Sequence, residues 1–252
     1  MDPMSLPDAL KQALAAVRSA GAITGAGISA ESGIPTYRGA GGIYDDPDEG
    51  ERTVEALSGS TLAVDPDRTW RAIAALARRA RQARPNPGHE ALVAIERKLS
   101  RFVLLTQNVD GLHRLAGSRN VIEIHGDTFA TRCMRCGARG RLEELAKLEV
   151  APACAACAGI LRPDVVLFGE LLPLEKVRRM QAELLEDPPD LVLAIGTSAL
   201  FPYIAEPVVA ARRRGRLTVE VNPEPTVLSP IVDVSLRGRA SELLPELGRW
   251  IG

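Results

Sequence analysis

The chain has 252 residues and a formal net charge of −1, and 46% of its residues are hydrophobic and 25% are charged. This composition is that of a globular protein and excludes a disordered, collagen-like or disulfide-stapled chain. The near-zero charge argues against a polyanion-binding protein. No apolar run reaches the ~18 residues that a spanning helix needs, and the N-terminus lacks an export pattern, so we expect a cytoplasmic protein.

Helices alternate with short apolar strands along most of the chain. Ser5 or Asp8 can cap a first helix that runs to about Arg18, and a short strand at 22–24 follows. Further strands are predicted at 101–106, 120–124, 191–195, 217–221 and 231–236, and helices at 173–186, 202–214 and 241–250. Continuous apolar strands separated by helices are typical of an α/β protein whose parallel sheet is covered on both faces.

Two segments interrupt this alternation. Residues 40–84 begin as a Gly/Asp/Pro-rich loop and then form a predicted helix from about Asp67, while residues 127–163 carry every cysteine and little strand signal. We expect these segments to form a helical module and a metal module that pack together as one small domain. Residues 1–39, 85–126 and 164–252 would then form the large domain.

The four cysteines predict one structural zinc ion. Cys133 and Cys136 form one CxxC pair, Cys154 and Cys157 form another, and 17 residues separate the pairs. Four thiolates complete a tetrahedral shell and leave no position for water, which indicates a structural metal. Two disulfides are the alternative, but they are rare without an export signal. A nucleic-acid-binding ribbon is a further alternative, although the segment lacks stacking aromatic residues.

A glycine-rich turn follows the first strand. Gly25, Ala26 and Gly27 begin the pattern G-x-G-x-x-A, in which glycines let the backbone approach a diphosphate at a helix N-terminus. Such turns also occur for packing reasons alone. No acidic residue ends a second strand about 20 residues later, so a ribose would need partners elsewhere. Asn222, Pro223 and Glu224 follow a strand and offer such partners.

Polar residues also follow other predicted strands, where ligands of open α/β sheets bind. Gln107, Asn108 and Asp110 follow one strand, and the segment 196–198 (Gly-Thr-Ser) follows another. A helix cap explains one of the first three residues but not all of them. His125 ends a further strand beside the metal module, which makes it the best general-base candidate. His89 can cap a helix, and His113 lies in a short helical stretch.

Taken together, these motifs resemble the sirtuin family of NAD-dependent protein lysine deacylases, and their order and spacing cover nearly the whole chain. The matching segments are GAGIS at 25–29, SGIPTYRG at 32–39, TQNVDGLH at 106–113, EIHG at 123–126, the four cysteines, PDVVLFGE at 163–170, GTS at 196–198 and VNP at 221–223. The resemblance implies a Rossmann-like NAD-binding domain with a smaller inserted domain, made of a zinc module and a helical module.

The resemblance also implies the reaction. The acyl oxygen of an acyl-lysine attacks the nicotinamide ribose, His125 acts as the base on a ribose hydroxyl, and the products are nicotinamide, free lysine and O-acyl-ADP-ribose. Asn108 and Asp110 would position the ribose and nicotinamide, and Asn108 is predicted as catalytic beside His125. The strand ends and the resemblance together predict these NAD-binding positions: Gly25, Ala26, Gly27, Ser29, Thr36, Tyr37, Arg38, Gln107, Asn108, Val109, Asp110, Gly196, Thr197, Ser198, Asn222, Pro223, Glu224 and Ala240.

The substrate would pair its backbone with one segment and place its acyl group against one helix. By resemblance, the peptide-binding residues are Val165, Val166, Leu167, Phe168, Gly169 and Glu170. Relatives that remove acidic acyl groups carry a Tyr-x-x-Arg pair on the helix that lines the acyl pocket. Registered on Trp70, those positions are Ile73 and Leu76 here, so we expect acetyl or longer apolar acyl groups.

Other functions remain open at this point. A sirtuin-like protein mono-ADP-ribosyltransferase would use the same NAD site, and a non-catalytic NAD-sensing or zinc interaction module would be expected to lose His125 or Asn108. A hydride-transferring dehydrogenase is disfavoured because the usual ribose-binding acid is missing. We expect acyl-lysine proteins as partners, with no specific nucleic acid and no membrane. The sequence does not define the oligomeric state, and a monomer is compatible with it.

Overall fold

A computed structural model describes residues 6–36, 42, 46–142 and 148–252. The strands of this part of the chain are β1 (Ser19–Thr24), β2 (Arg101–Thr106), β3 (Val121–Glu123), β4 (Gly126–Cys133), β5 (Arg139–Arg141), β6 (Leu161–Val165), β7 (Leu191–Ile195), β8 (Leu217–Val221) and β9 (Val234–Leu236). Its α-helices are α1 (Asp8–Ala15), α2 (Pro47–Ala56), α3 (Gly59–Val64), α4 (Pro66–Gln82), α5 (Pro87–Lys98), α6 (Leu112–Ala116), α7 (Leu174–Met180), α8 (Pro202–Arg213) and α9 (Ala240–Trp250).

The larger of the two sheets has six strands in the order β3-β2-β1-β7-β8-β9. Every neighbouring pair in this sheet is parallel. The order reverses between β1 and β7, so the carboxyl ends of these two strands flank the crevice where doubly wound sheets bind ligands. The predicted α/β fold with a Rossmann-like parallel sheet is confirmed.

Both faces of this sheet are buried, which explains the continuous apolar strands. Alternate residues of β2 point to opposite faces: Phe102 and Leu104 join one core cluster, and Val103 and Leu105 join the other. Residues of α1, α5 and α9 cover the first face, and residues of α7 and α8 cover the second. Burying both faces leaves the sheet edge at the strand ends as the place for polar chemistry.

Several element boundaries differ from the predictions. The first helix ends at Ala15 and has Pro7 at its N-cap with no side-chain cap, so Asp8 lies inside the helix, while Ser5 is outside the described residues. β1 begins at Ser19, because its backbone pairs with β2 from Ser19 and with β7 from Ala20. The stretch predicted as one helix at 173–186 is α7 followed by a wider π-type turn at Gln181–Glu186.

The metal module forms strands although its sequence carries little strand signal. β4, β5 and β6 form an antiparallel three-stranded sheet in the order β5-β4-β6. β5 is fully exposed, and β6 contains Pro163, so neither has the apolar pattern that predicts a strand. β6 continues to Val165, two residues beyond the predicted boundary of this module at 163.

The helical module and the metal module share one apolar cluster, which we call the small-domain core. Its central residue is Trp70 of α4, which is fully buried and donates from its indole Nε1 to the carbonyl of Leu161 over 2.7 Å. The buried members of the small-domain core are Leu57, Leu62, Trp70, Ile73, Ala77, Val165 and Leu167. The described residues contain no helix that is long and apolar enough to cross a membrane.

Candidate functional site

The glycine-rich turn packs directly on the end of β7. The N–H of Gly25 donates to the carbonyl of Ile195 over 3.1 Å, and the N–H of Gly27 donates to that of Gly196 over 2.9 Å. A Cβ atom on Gly25 or on Gly27 would lie 2.7 Å from an atom of Gly196, which is too close for any side chain. The two glycines are therefore required by the contact between two backbones.

The turn does not lead into an α-helix as predicted. It forms two short 3₁₀ turns, Ala26–Ile28 and Ala30–Ser32, and Gly33 ends the second in the left-handed conformation. This turn therefore does not offer a regular helix N-terminus to a diphosphate. The turn instead presents a tightly curved backbone at the carboxyl edge of the sheet, beside the ends of β2 and β7.

Ser29, Asn108 and Asp110 form a hydrogen-bonded group that we call the polar cluster. Asn108 donates from Nδ2 to the carbonyl of Gly25 (3.0 Å) and to Oγ of Ser29 (3.1 Å), and Ser29 donates to Oδ2 of Asp110 (2.8 Å). The other Asp110 oxygen accepts from the N–H of Leu112, the first residue of α6. Burial raises the pKa of Asp110, although the bonds from Leu112 and Ser29 act in the opposite direction. The structure thus brings together three of the predicted NAD-binding residues.

Thr197 ties three strand ends together. Gln107, which follows β2, donates from Nε2 to Oγ1 of Thr197 over 2.8 Å. Asn222, which follows β8, donates from Nδ2 to the carbonyl of Thr197 over 3.1 Å. The amide oxygen of Asn222 is then directed away from this bond and can accept a hydroxyl. Residues at 107, 197 and 222, predicted separately from three strand ends, form one continuous edge.

Other predicted NAD-binding positions are not part of this bonded network. Ser198, Pro223 and Glu224 are exposed, and Thr36 is half-buried. The side chain of Ala240 is buried in the core cluster that also contains Ile28, so an adenine contact there would fall to its backbone or its neighbours. Val109 packs against the small-domain core. Tyr37 and Arg38 lie outside the described residues.

A buried carboxylate organises the loop after β8. Glu220 is 1% exposed and accepts hydrogen bonds from the hydroxyls of Thr226, Ser229 and Ser235. Arg237 lies 2.9 Å from Glu220 and also donates to the carbonyl of Glu224 over 3.1 Å. These bonds lower the pKa of Glu220 against the opposing effect of its burial. They hold the predicted ribose-binding residues 222–224 in one conformation.

His125 is held as a neutral base with a defined tautomer. Its Nδ1 lies 3.0 Å from the carbonyl oxygen of Gln107, and its Nε2 lies 2.7 Å from the hydroxyl of Tyr203. A carbonyl only accepts, so Nδ1 carries the proton, and Nε2 of the neutral ring must be the acceptor. Burial is the main cause that lowers the pKa of His125, and this favours the uncharged ring near neutral pH.

The other two histidines have structural surroundings. His89 accepts from the N–H of Asn86 in a capping box that begins α5, as predicted. His113 lies on α6, bonds Oγ1 of Thr24 at 2.9 Å and stands with its ring centre 4.9 Å from that of His89. Burial lowers the pKa of His89 to about 4 and that of His113 well below its ordinary value. Both side chains are buried behind the polar cluster.

The predicted substrate segment connects β6 to the helical module. The N–H of Val166 donates to the carbonyl of His125, and the N–H of Phe168 donates to that of Leu57. Arg162 makes a two-pronged ion pair with Glu170, with N···O distances of 2.6 and 2.8 Å. Of the N–H groups from 166 to 170, only that of Gly169 has no partner among the described residues. The segment is therefore rigidly anchored on both sides.

The positions predicted to line the acyl pocket lie in different surroundings. Ile73 is buried in the small-domain core, beside Val165 and Leu167. Leu76 is half-buried and lines a cavity of about 220 Å³ between α2 and α4, whose wall also includes Arg79. Both positions are aliphatic, and neither carries a group that could pair with a carboxylate.

The four cysteines form a site that fits one zinc ion. Their sulfur atoms all lie within 4.8 Å of one another, and the Cys133–Cys157 and Cys136–Cys154 pairs are 3.5 and 3.8 Å apart. Tetrahedral zinc with Zn–S bonds of ~2.3 Å requires sulfur atoms ~3.8 Å apart. All four are free thiols, so the disulfide alternative does not apply. Backbone N–H groups of Cys136 and Arg135 lower the pKa of the Cys133 thiol to about 6.

Four thiolates on one zinc ion carry a net charge of −2, and of three arginines near the cysteines in sequence, Arg135 lies at the site. Its guanidinium donates to the carbonyl of Cys157 over 3.1 Å. Arg132 lies 3.8 Å from Asp164, and Arg139 is exposed on β5.

Sequence reasoning missed two aromatic residues beside His125. The ring of Tyr203 stacks on that of Phe201, with centroids 5.5 Å apart and planes 17° apart, and both meet the imidazole edge to face. The signal was present, since an aromatic pair follows closely after the Gly-Thr-Ser end of β7. Thr24 and Thr106, whose hydroxyls bond each other at 2.8 Å behind the polar cluster, were also missed.

The residues at this edge fit a dinucleotide. The Asn108 amide and the Asp110 carboxylate match the carboxamide of a nicotinamide ring and the hydroxyl groups of the ribose attached to it. The amide oxygen of Asn222, which has no donor among the described residues, suits a hydroxyl at the other end of the edge. The curved backbone between Gly25 and Ser29 lies between these two groups, where a diphosphate needs close approach.

Fold and site together define a class: a Rossmann-like parallel sheet, a four-cysteine module and a half-buried histidine at the carboxyl edge of the sheet. The chain belongs to the Sir2 family, whose model matches residues 25–201. It is 46% identical over 251 residues to "NAD-dependent protein deacylase 2" of Pseudomonas aeruginosa, covering 98% of both chains.

Solved structures agree with this assignment. A Sir2 homologue mutant in an ADP-ribose complex aligns with a TM-score of 0.89 and 38% identity, covering 97% of this chain and 96% of the other. A Sir2 homologue in complex with NAD aligns with a TM-score of 0.85 and 38% identity, covering 97% and 93% of the two chains. The expected family is therefore confirmed.

Proposed function

We propose that this protein is an NAD-dependent protein lysine deacylase that releases nicotinamide and O-acyl-ADP-ribose. The observation that carries the proposal is the neutral His125, whose Nε2 lone pair lies at the sheet edge that also presents Asn108 and Asp110. Membership of the Sir2 family and the likeness to an NAD-dependent protein deacylase over nearly the whole chain support it.

The residues at the sheet edge have different roles in the proposed reaction. Asn108 and Asp110 orient the nicotinamide ribose, and Gln107 positions His125 through its backbone carbonyl. His125 then accepts the proton of a ribose hydroxyl at Nε2. Cleavage of NAD leaves positive charge on the ribose carbon and releases a neutral nicotinamide, so the site needs orientation and a base more than a strong acid.

Zinc would be held by Cys133, Cys136, Cys154 and Cys157 and would supply folding free energy to the small domain. Four thiolates complete its shell, so it has no open position for chemistry. An acyl-lysine protein would enter beside the segment Val165–Glu170. Gly169 is the residue of this segment whose free N–H is available to a substrate backbone.

The decisive experiment is mass spectrometry of an acetyl-lysine peptide incubated with NAD and the protein. Deacylation gives the free-lysine peptide together with acetyl-ADP-ribose, in equal amounts. A reaction without NAD and a reaction with the His125→Ala variant serve as controls. A mono-ADP-ribosyltransferase would instead leave the acetyl group in place and add ADP-ribose to a protein, and that result would replace the proposal.

The aliphatic residues on α4 predict the acyl preference. A succinyl carboxylate needs a partner when it leaves water, because an unpaired charge is costly to bury. α4 carries no tyrosine; of the two positions registered on Trp70, Ile73 is buried in the small-domain core and Leu76 supplies an aliphatic wall to the cavity. Apolar acyl groups instead gain ~0.8 kcal/mol for each buried methylene. We therefore expect kcat/KM for acetyl- or fatty-acyl-lysine to exceed that for succinyl-lysine.

Kinetics on three peptides that differ only in the acyl group test this preference. A clear succinyl preference would mean that Arg79, which lines the same cavity as Leu76, reaches the acyl carboxylate. In that case Arg79→Leu should abolish the succinyl activity and spare the acetyl activity.

A further inference from the structure

Both ring nitrogens of His125 are already occupied in the resting protein. Nδ1 donates to the Gln107 carbonyl over 3.0 Å, so Nε2 is the position left for accepting a proton. That position is 2.7 Å from the Tyr203 hydroxyl, which must donate to it, since Nε2 of the neutral ring carries no hydrogen. A ribose hydroxyl therefore cannot bond to this lone pair while the Tyr203 hydroxyl occupies it.

Tyr203 is well placed to keep this bond. It is the second residue of α8 and is half-buried, and its ring stacks on Phe201, which is 48% exposed. Burial raises the pKa of Tyr203 to about 12, so the phenol remains a protonated donor at neutral pH. The stacked pair is attached to the start of a helix, whereas His125 lies between β3 and β4. The bond therefore joins two separate elements of the site.

We propose that Tyr203 caps the catalytic base: its hydroxyl occupies the Nε2 lone pair of His125 in the resting enzyme, and a ribose hydroxyl of NAD must displace it before a proton can move. The inference rests on the proposed function, because it takes that hydroxyl as the group which His125 deprotonates. Tyr203 acts here through His125 and is a positioning residue. The strength of its hydrogen bond to Nε2 determines how much free energy NAD binding must supply to expose the base.

Tyr203→Phe tests the cap, since it removes one oxygen and keeps the ring stacked on Phe201. A neutral hydrogen bond contributes a net ~0.5–1.5 kcal/mol, so freeing Nε2 should lower KM for NAD about 2- to 10-fold. We expect kcat to stay unchanged, because the tyrosine hydroxyl has already left in the reacting complex. An unchanged KM would overturn the proposal. A fall in kcat of more than about 10-fold would also overturn it, and would show that the hydroxyl relays the proton.

A double-mutant cycle separates the cap from a general effect of the substitution. With His125→Ala, the hydroxyl has no nitrogen to occupy, so adding Tyr203→Phe should leave the Kd for NAD unchanged in calorimetry. In the presence of His125, the same substitution should tighten NAD binding about 2- to 10-fold. Equal effects in both backgrounds would mean that the hydroxyl acts on NAD without His125.

The ring nitrogens provide a readout that requires no NAD. In ¹⁵N spectra of the free protein, the Nε2 resonance of His125 should shift in Tyr203→Phe towards that of an unbonded pyridine-type nitrogen, while Nδ1 stays in place. An unshifted Nε2 would overturn the cap whatever the activity. If neither protein binds NAD, the proposed function fails, and this spectrum alone decides whether the cap exists. Should Tyr203→Phe fail to fold, Phe201→Leu loosens the stacked ring and should change Nε2 in the same direction.

Discussion

The imidazole of His125 is kept neutral mainly by its burial and is oriented by a backbone carbonyl. Burial lowers its pKa, and the Gln107 carbonyl fixes the proton on Nδ1. We therefore expect His125→Ala to reduce turnover by roughly 100-fold or more, as for the loss of a general base. NAD binding should stay within a few-fold, because Asn108 and Asp110 remain. Calorimetry and initial rates measure the two effects separately.

His113→Gln is the matched control for that substitution. It removes a second buried histidine at the same end of the sheet, and the new amide can still bond Oγ1 of Thr24. This variant should keep most of its turnover even if it loses stability. Equal losses of turnover in both variants would indicate a shared structural effect and would remove His125 from the chemistry.

At the scale of single residues, the sequence was informative where a side chain follows a strand. His125, Asn108, Asp110, Gln107 and Thr197 could be chosen because the carboxyl ends of parallel strands converge. Their mutual hydrogen bonds could not be predicted, since these depend on which loops meet. Tyr203 was missed for this reason: its contact with His125 joins positions 78 residues apart.

Individual elements of the fold differ in how far the sequence predicts them. β2, β7 and β8 were predicted with their observed limits because each is a continuous apolar run. The sequence of the turn after β1 is also compatible with the start of an α-helix. In the structure the turn packs against Gly196 and forms two short 3₁₀ turns instead. In the metal module, β5 and β6 are short and polar, so periodicity carries no information about them.

The contact between the glycine turn and β7 predicts a sharp effect of one methyl group. Gly196 has φ +54°, and a Cβ atom there would lie 2.5 Å from the backbone nitrogen of Ile28. Gly215 has φ +68° with nothing within 4 Å, so Gly215→Ala introduces only the backbone strain. We expect Gly196→Ala to cost ~1–3 kcal/mol more than Gly215→Ala, because it adds a steric clash.

Denaturant unfolding of both variants gives that difference directly. NAD affinity should fall for Gly196→Ala alone, since the turn must move away from the strand end. Equal stability of the two variants would mean that the turn can move away from Gly196 without loss of stability. The close packing at this edge would then not be required for the site.

On the scale of the molecule, the small-domain core makes the metal a part of the fold. Trp70 packs in this core and donates to Leu161 of β6. Cys133 ends β4, and the other three cysteines lie on the loops between the strands of the same small sheet. We expect one zinc per chain, and we expect that stripping it will unfold the small domain and abolish activity. Metal analysis of folded, active protein that finds no zinc would contradict this.

The two buried histidines behind the polar cluster should make the whole molecule acid-sensitive. Burial lowers the pKa of His89 to about 4, so the unfolded chain, with an ordinary value near 6.5, binds more protons between these limits. Stability is therefore fully present above pH ~6.5 and falls with pH down to about 4, by up to ~1.4 kcal/mol per pH unit for this residue. His89→Gln should flatten the plot of unfolding free energy against pH between these limits. Plots of equal slope for the variant and the unchanged protein would show that His89 is not the source of the acid sensitivity.

The anchored segment between β6 and the helical module gives the molecule a mechanical linkage. One chain of backbone bonds runs from the metal-bearing sheet through Val166 to His125 and through Phe168 to Leu57. A peptide that binds along this segment and a metal that holds the sheet therefore stiffen the same strip of backbone. By thermodynamic reciprocity, if bound metal raises the affinity for the peptide by some factor, bound peptide raises the affinity for the metal by the same factor. Substrate supply would then protect the enzyme against the loss of its zinc.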